Sequence, residues 1–252
     1  MSLLAIDNLS LHFGGVRAVE NVSFRVEPQE VFTLIGPNGA GKTSIFNLIS
    51  RFYDANQGRI AFEERDITAI APHEVAARGI ARTFQNVELF EHATVLENLL
   101  LGRHVRFRTR LPFELLFTPS VRAEERAHRE KVEEVIDFLD LQHYRDMRTG
   151  SLPYGVRKVV ELGRALASEP KLLLLDEPSS GLNTEETEEM SFWIEDITQE
   201  LGITVLMIEH DMALVREVSD RVLALNYGRI IATGDVESVQ AHPEVVRAYL
   251  GE

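Results

Sequence analysis

Four residues carry the first chemical signal: Gly36, Gly41, Lys42 and Thr43 fit the spacing G-x-x-x-x-G-K-[ST]. Glycines permit backbone angles that a Cβ forbids, so successive N–H groups can turn into one concavity. Such a concavity at a helix N-terminus favours an anion, because unpaired donors and the helix dipole both face it. Lys42 would then reach the β- and γ-phosphates of a nucleotide, and the Thr43 hydroxyl would ligate Mg²⁺. A plain glycine turn could carry the same letters, so the flanks matter. Before the turn lies an apolar run, Val31 to Ile35; after it comes a helical pattern with Ile45, Phe46, Leu48 and Ile49. That strand–loop–helix setting reads as a phosphate-binding loop for a nucleoside triphosphate. It does not say what the nucleotide is for.

A second signal lies at Asp176 and Glu177, directly after KLLLL. In a parallel sheet, ligands gather at strand C-termini, where these carboxylates would emerge. Asp176 would be the acidic Mg²⁺ partner of Thr43, directly or through water. Glu177 would accept a proton from, or orient, the water that attacks the γ-phosphate. Capping of the next turn is the plainer alternative, but an aspartate beside four leucines is costly unless a cation or donor compensates it. His210, after the apolar run Ile203 to Glu209, is placed to touch the γ-phosphate, and Gln85 ends IARTFQ. Taken alone, such a histidine is more often a satisfied structural residue and such a glutamine says little; their order along the chain gives them weight.

The elements that must position these groups alternate as α/β. LLAIDNLSLHF and AVENVSFRV alternate around Gly14-Gly15 as two antiparallel strands, and GRIAFEERDI reads as a short hairpin region. Pro72 opens a short helix ending at Gly79, and Ile80 to Gln85 reads as a strand. From about 86 to 160 the texture becomes helical: TVLENLLLG with Thr94 as N-cap, then an amphipathic helix over 121–141, with Val132, Val135, Ile136 and Leu139 on one face. A helix over about 156–168, the strand KLLLLDEP, a helix over about 185–201, ITVLMIEH, DMALVREVSD, RVLALN, the hairpin YGRIIATGD and two short helices complete the pattern. The expected domain is therefore a nucleotide-binding α/β core over about 1–85 and 161–252, with a helical subdomain inserted at about 86–160.

Composition narrows the class. A chain of 252 residues suits one sizeable core with a subdomain. Its formal charge of −14 argues against nonspecific nucleic-acid binding, which needs basic surface. The sequence has no cysteine, which rules out disulfides and thiolate metal sites. No apolar run approaches a membrane span and the first residues lack a signal pattern, so a cytoplasmic protein is expected, anchored by something else if it works at a membrane.

The ordered series resembles the ATP-binding subunit of ABC transporters, over essentially the full chain. Gly36 to Thr43 looks like the Walker A loop, Gln85 the Q-loop and Leu152 to Val156 the family signature. Leu172 to Glu177 looks like Walker B, Ser180-Gly181-Leu182-Asn183 the D-loop and His210 the switch histidine. The resemblance implies a RecA-like P-loop NTPase fold: a mixed-sheet core, an N-terminal antiparallel β subdomain and an inserted α-helical subdomain. It also implies ATP and Mg²⁺ as ligands, with Asn38, Gly39, Gly41, Lys42, Thr43 and Ser44 on the phosphates. Phe13 would stack on adenine with Val19 nearby, and Thr43, Gln85 and Asp176 would serve the metal. Glu177, Gln85 and His210 would carry hydrolysis. Two such subunits, alike or different, would close around two ATP molecules, each lending its signature (here Ser151, Pro153 and Gly155) to the other. Two permease subunits and an extracytoplasmic binding protein would complete the assembly, with this chain on the cytoplasmic face of the membrane.

Two departures stand out. The signature reads Leu152-Pro153-Tyr154-Gly155-Val156 where L-S-G-G-Q is common, and Asn183 stands where many relatives have aspartate. Proline is tolerated in a first helical turn and Gly155 still permits close backbone approach. Loss of a hydroxyl contact to a charged group would cost about 1.5–3 kcal/mol of closure. Within the superfamily, ARTFQNVELF, ELGRALASEPKLLLLDEP, MIEHDM and PEVVRAYLGE resemble the ATPases of branched-chain (hydrophobic) amino-acid importers. Urea or amide import, lipopolysaccharide export and, in another class, a soluble P-loop kinase are the alternatives. The basic run Arg103, Arg106, Arg108 and Arg110 reads as a lipid contact, a permease contact or a solvated loop.

Overall fold

The computed structural model describes residues 2–107 and 119–250. Two compact units form, one of residues 1–85 with 171–252 and one of residues 86–170.

The first unit holds two sheets. β1 (Leu4–Phe13), β2 (Val16–Val26), β4 (Gln57–Phe62) and β5 (Arg65–Asp66) make an antiparallel sheet in the order β2-β1-β4-β5. The second sheet runs β10-β9-β3-β8-β7-β6 and comprises β3 (Val31–Ile35), β6 (Ile80–Arg82), β7 (Leu172–Asp176), β8 (Thr204–Ile208), β9 (Arg221–Asn226) and β10 (Arg229–Gly234). Its strands pair in parallel except β10, which returns antiparallel on β9. Every residue of β3, β7 and β8 is buried, as continuous apolar runs require in a sheet covered on both faces.

One face packs on α1 (Lys42–Ile49), whose Ile45, Phe46, Leu48 and Ile49 share a core with Leu4, Ile6 and Leu9 of β1 and Leu174 of β7. Phe24 and Phe32 stack between the two sheets, 5.4 Å apart and 6° from parallel. On the other side, Ile35, Val222 and Ala224 meet Val215 of α7 (Met212–Val218), Val239 of α8 (Val236–Gln240) and Val245 of α9 (Pro243–Leu250). α2 (Pro72–Ala77) leads into β6, and α6 (Thr184–Gln199) joins β7 to β8.

The second unit is helical: α3 (Val95–Gly102), α4 (Pro119–Phe138) and α5 (Tyr154–Leu166). Thr94 caps α3 as expected, accepting from Glu97 N at 3.2 Å while Glu97 accepts from Thr94 N. Val132, Ile136 and Leu139 are buried and Val135 is half-buried, so the stripe on α4 is core. A Cβ added at Gly163 of α5 would lie 3.0 Å from Leu139 Cδ1 and 3.4 Å from a Leu99 methyl, so α5 approaches its neighbours closely at that point. That packing explains a correction. An end near residue 160 would cut α5 in two, whereas the inserted unit extends to Pro170.

The basic run is corrected in part. Arg103 is 5% exposed and reaches the Ala167 carbonyl at 3.0 Å and the Glu169 carboxylate at 2.9 Å. Arg106 donates to the carbonyls of Ser168 (2.8 Å) and Glu169 (2.7 Å). Both guanidiniums therefore satisfy carbonyls at the C-terminal end of α5, where a helix leaves acceptors unpaired. Arg108 and Arg110 lie outside the described residues.

Candidate functional site

The phosphate loop follows β3, and its glycines are obligatory for steric reasons. Gly36 has φ +145° and a Cβ there would stand 2.2 Å from the Leu225 carbonyl oxygen; Gly41 has φ +103° and would meet the Ala18 carbonyl oxygen at 2.3 Å. Gly41 is also the N-cap of α1, with no side-chain cap and no acidic residue in the first turn. The helix thus presents bare amides to whatever occupies the loop, a setting suited to an anion. Lys42 Nζ is held inside by the carbonyls of Gly36 (2.7 Å) and Pro37 (3.2 Å). Burial pulls the Lys42 pKa below its ordinary 10.5, while the charges of Glu177 and Asp176 oppose the shift.

Neighbouring strands deliver their groups to the same, C-terminal, end of the sheet. β3 leads to Lys42, β8 to His210, β7 to Asp176-Glu177 and β6 to Gln85, in adjacent order. With strands spaced by about 4.8 Å, the row spans roughly 15 Å. Gln85 Nε2 donates to Glu177 Oε2 at 2.8 Å, and His210 Nδ1 lies 3.9 Å from the same oxygen. Glu177 adopts φ +51°, a left-handed conformation unusual for a side chain this long. A cleft of about 1050 Å³ is lined by Asn38 to Ser44, Gln85 and Glu177, with Val16, Ala18 and Tyr227 among its other walls.

The nucleotide-side expectations separate here. Asn38, Gly39, Gly41, Lys42, Thr43, Ser44, Gln85 and Glu177 line one cleft. Asp176 lies just behind it, its side chain 4% exposed and its Oδ2 accepting from Arg82 at 2.8 Å. Val19 does not line the cleft: it is fully buried in the core, because strand alternation turns Ala18 toward the cleft and Val19 away from it. Phe13 is 47% exposed, outside the lining residues, with its ring edge-on to Tyr53 at 5.1 Å.

In the helical unit, α5 begins at Tyr154, two residues earlier than the pattern suggested. Pro153 is its N-cap and makes no side-chain cap, so the first amides, Gly155 among them, carry no capping hydroxyl. Ser151 does not serve as that cap, since its hydroxyl donates to the Arg148 carbonyl at 2.8 Å. Asn183 has a local explanation: its side chain accepts from Glu186 N at 3.0 Å and caps α6, where asparagine works as well as aspartate.

Some site residues were not legible beforehand. Glu209 is fully buried and accepts three backbone N–H groups, from Ser179 (2.9 Å), His210 (2.7 Å) and Asp211 (3.0 Å). Tyr249 on α9 accepts from Gly36 N at 2.8 Å, and burial pushes its phenol pKa up. Only the polar letter directly before His210 hinted at the first, and nothing hinted at the second.

A glycine loop on a helix head, set beside carboxylates at the tips of a parallel sheet, defines a P-loop nucleotide-binding protein. Residues 19–180 match the ABC transporter family model, and residues 229–252 match the model of the branched-chain amino acid ATP-binding cassette transporter. The chain belongs to the ABC transporter family. It is 39% identical over 250 residues to the high-affinity branched-chain amino acid transport ATP-binding protein LivG of Escherichia coli (strain K12), covering 99% of this chain and 98% of LivG. It is 38% identical, at the same coverage, to the corresponding BraF of Pseudomonas aeruginosa. A crystal structure of a nucleotide-free ATP-binding cassette from an ABC transporter matches with a TM-score of 0.87 at 35% identity, covering all of both chains.

Proposed function

We propose that this chain is the ATP-hydrolysing subunit of an importer for branched-chain or other hydrophobic amino acids. The observation that carries the hydrolytic part is the meeting of Gln85 and His210 at Glu177, which lines one cleft with Gln85 and Lys42 at the C-terminal ends of the strands. The C-terminal match over residues 229–252 and the likeness to LivG and BraF support the solute class over urea, amide or lipopolysaccharide transport.

The donor set fits Mg²⁺. Thr43, Asp176 and Gln85 offer hard oxygens, and Gln85 donates through Nε2, which leaves its Oε1 for a cation. Among the described residues no cluster of three or more His, Cys, Asp or Glu forms a cage, so phosphates would have to complete the coordination. Bound there, Mg²⁺ would neutralise charge on the β- and γ-phosphates.

The chain's own residues do the rest. Loop amides and Lys42 hold the phosphates, and Phe13 stacks on the adenine from the edge of β1. Glu177 orients the attacking water and takes its proton, its carboxylate held by Gln85. His210 donates to the γ-phosphate as charge develops. Gln85 also reports the state of the γ-phosphate to the inserted helices that follow it in the chain. Ser151, Pro153 and Gly155 serve the nucleotide of a second ATP-binding subunit through backbone donors, since Pro153 brings no hydroxyl. That subunit, two permease subunits and an extracytoplasmic binding protein are the partners. Among the described residues no helix is long and apolar enough to cross a membrane, and attachment to the cytoplasmic face runs through the permeases.

The test is ATP hydrolysis by the assembled complex, isolated from membranes through a tag on this subunit. Stimulation by a binding protein loaded with leucine, isoleucine or valine is expected. Stimulation by urea, an amide or lipopolysaccharide instead would reassign the solute. Phosphate transfer to a soluble acceptor without membrane partners would point to a kinase.

A further inference from the structure

Arg82 ends β6, three residues before Gln85, and nothing in its letter suggested a role. Its side chain is 9% exposed and sits at the junction of three elements. One terminal guanidinium nitrogen donates to Asp176 Oδ2 at 2.8 Å and the other to Asn47 Oδ1, on α1, at 2.7 Å, while Nε is buried without a hydrogen-bond partner. The cation is also packed against Phe46, Phe52 and Phe84, with ring centres 5.4, 5.9 and 5.3 Å from Cζ.

Such a cage restricts the guanidinium to one pose. A planar fork held by two acceptors and flanked by aromatic faces has little freedom, and lysine could not reproduce it. The two acceptors belong to the two halves of the nucleotide site. Asn47 rides on the helix that begins with Lys42 and Thr43, and Asp176 is the carboxylate at the tip of β7. The guanidinium therefore ties the phosphate loop's helix to the acidic strand tip. It engages Oδ2 of Asp176, so Oδ1 is the atom left for a cation.

We propose that Arg82 is a positioning residue of the nucleotide site: it clamps the Asp176 carboxylate against α1 and thereby sets the metal-dependent part of ATP affinity. This rests on the reading of Asp176 as the Mg²⁺ partner. The metal-independent part is carried by Lys42 and the loop amides; since loss of Arg82 also leaves the Asp176 carboxylate unpaired, the quantity that reads the clamp is the gain from Mg²⁺ and not the affinity in either condition alone. If the pair had only a structural role, its loss would lower stability without changing the gain that Mg²⁺ brings.

The experiment measures ATP affinity of the full chain twice, in excess EDTA and in excess Mg²⁺, and takes the ratio. In Arg82→Met the gain from Mg²⁺ is expected to shrink by about tenfold, the size of one lost charge-assisted hydrogen bond. Arg82→Lys should recover part of the gain, as it keeps a cation at Asp176 without the arm to Asn47. An unchanged ratio in Arg82→Met overturns the proposal, and so does an increased one, which would mean that Arg82 competes with the metal. If Arg82→Met does not fold, Asn47→Ala decides: a gain reduced by about threefold supports the clamp, and an unaltered gain refutes it. A wild-type protein whose ATP affinity ignores Mg²⁺ would overturn the metal reading itself, a failure visible without any variant.

Discussion

Lys42 is pressed into its own loop by two carbonyls, and its charge survives burial partly through Glu177 and Asp176. Only the protonated amine helps bind a triphosphate. Since burial lowers its pKa, ATP affinity should fall with rising pH before a free lysine would titrate at 10.5. A titration of affinity from neutral to alkaline pH reads this directly. Glu177→Gln removes one of the charges that hold the amine protonated, so its loss of affinity should begin at lower pH. At neutral pH the same variant should bind ATP and turn over at least about a hundredfold more slowly, in line with loss of a general base. Turnover equal to wild type would mean that another group handles the water.

At the scale of elements, Glu209 joins the turn after β7 to the start of the His210 segment, because its two oxygens accept N–H groups from both. Glutamine is isosteric but turns an amino group toward one set of those donors. Glu209→Gln should therefore destabilise the fold by about 1–3 kcal/mol and lower turnover more than ATP affinity, as urea unfolding and kinetics would show. The helical unit holds a second buried polar group. His128 is 6% exposed, and its Nδ1 accepts from Arg103 Nε at 3.2 Å, which requires a neutral ring. Burial first, then the Arg103 charge, hold its pKa below 6.5, against the pull of Glu124 and Glu169. The unfolded chain then takes up a proton near 6.5 that the folded one refuses. The stability this residue permits is complete above that value and declines as pH falls through it toward the folded pKa. Urea midpoints on either side of 6.5 check the sign, and His128→Gln should flatten the slope.

Across the whole chain, what could be read in advance was what repeats locally. Uniform apolar runs announced β3, β7 and β8, Thr94 as an N-cap announced α3, and the glycine spacing announced the phosphate loop. What depends on distant partners was hidden. Val19 and Ala18 differ by one step of strand alternation, and only the pairing of β2 with β1 fixes which faces the core. The guanidinium of Arg82 meets Asp176, ninety-four positions away along the chain, and Arg103 meets a carbonyl sixty-four positions on, so no window of sequence contains either pair. The end of the helical insertion was missed for the same reason: Gly163 is a contact with Leu99 and Leu139 before it is a letter in a helix. Because the ligand groups come from so many segments, ATP with Mg²⁺ should stabilise the fold as a unit. At a hundred times Kd the expected gain is about 2.7 kcal/mol, measurable as a rise in Tm that EDTA reduces.

The Tyr249 hydroxyl under the Gly36 amide has a consequence for engineering. A chimera that exchanged the last two helices, α8 and α9, for those of another cassette would swap a surface. Here such a graft would also replace a peg beneath the nucleotide cradle, so altered solute response in a hybrid could stem from changed grip on ATP. Restoring tyrosine at position 249 of the graft would separate the two.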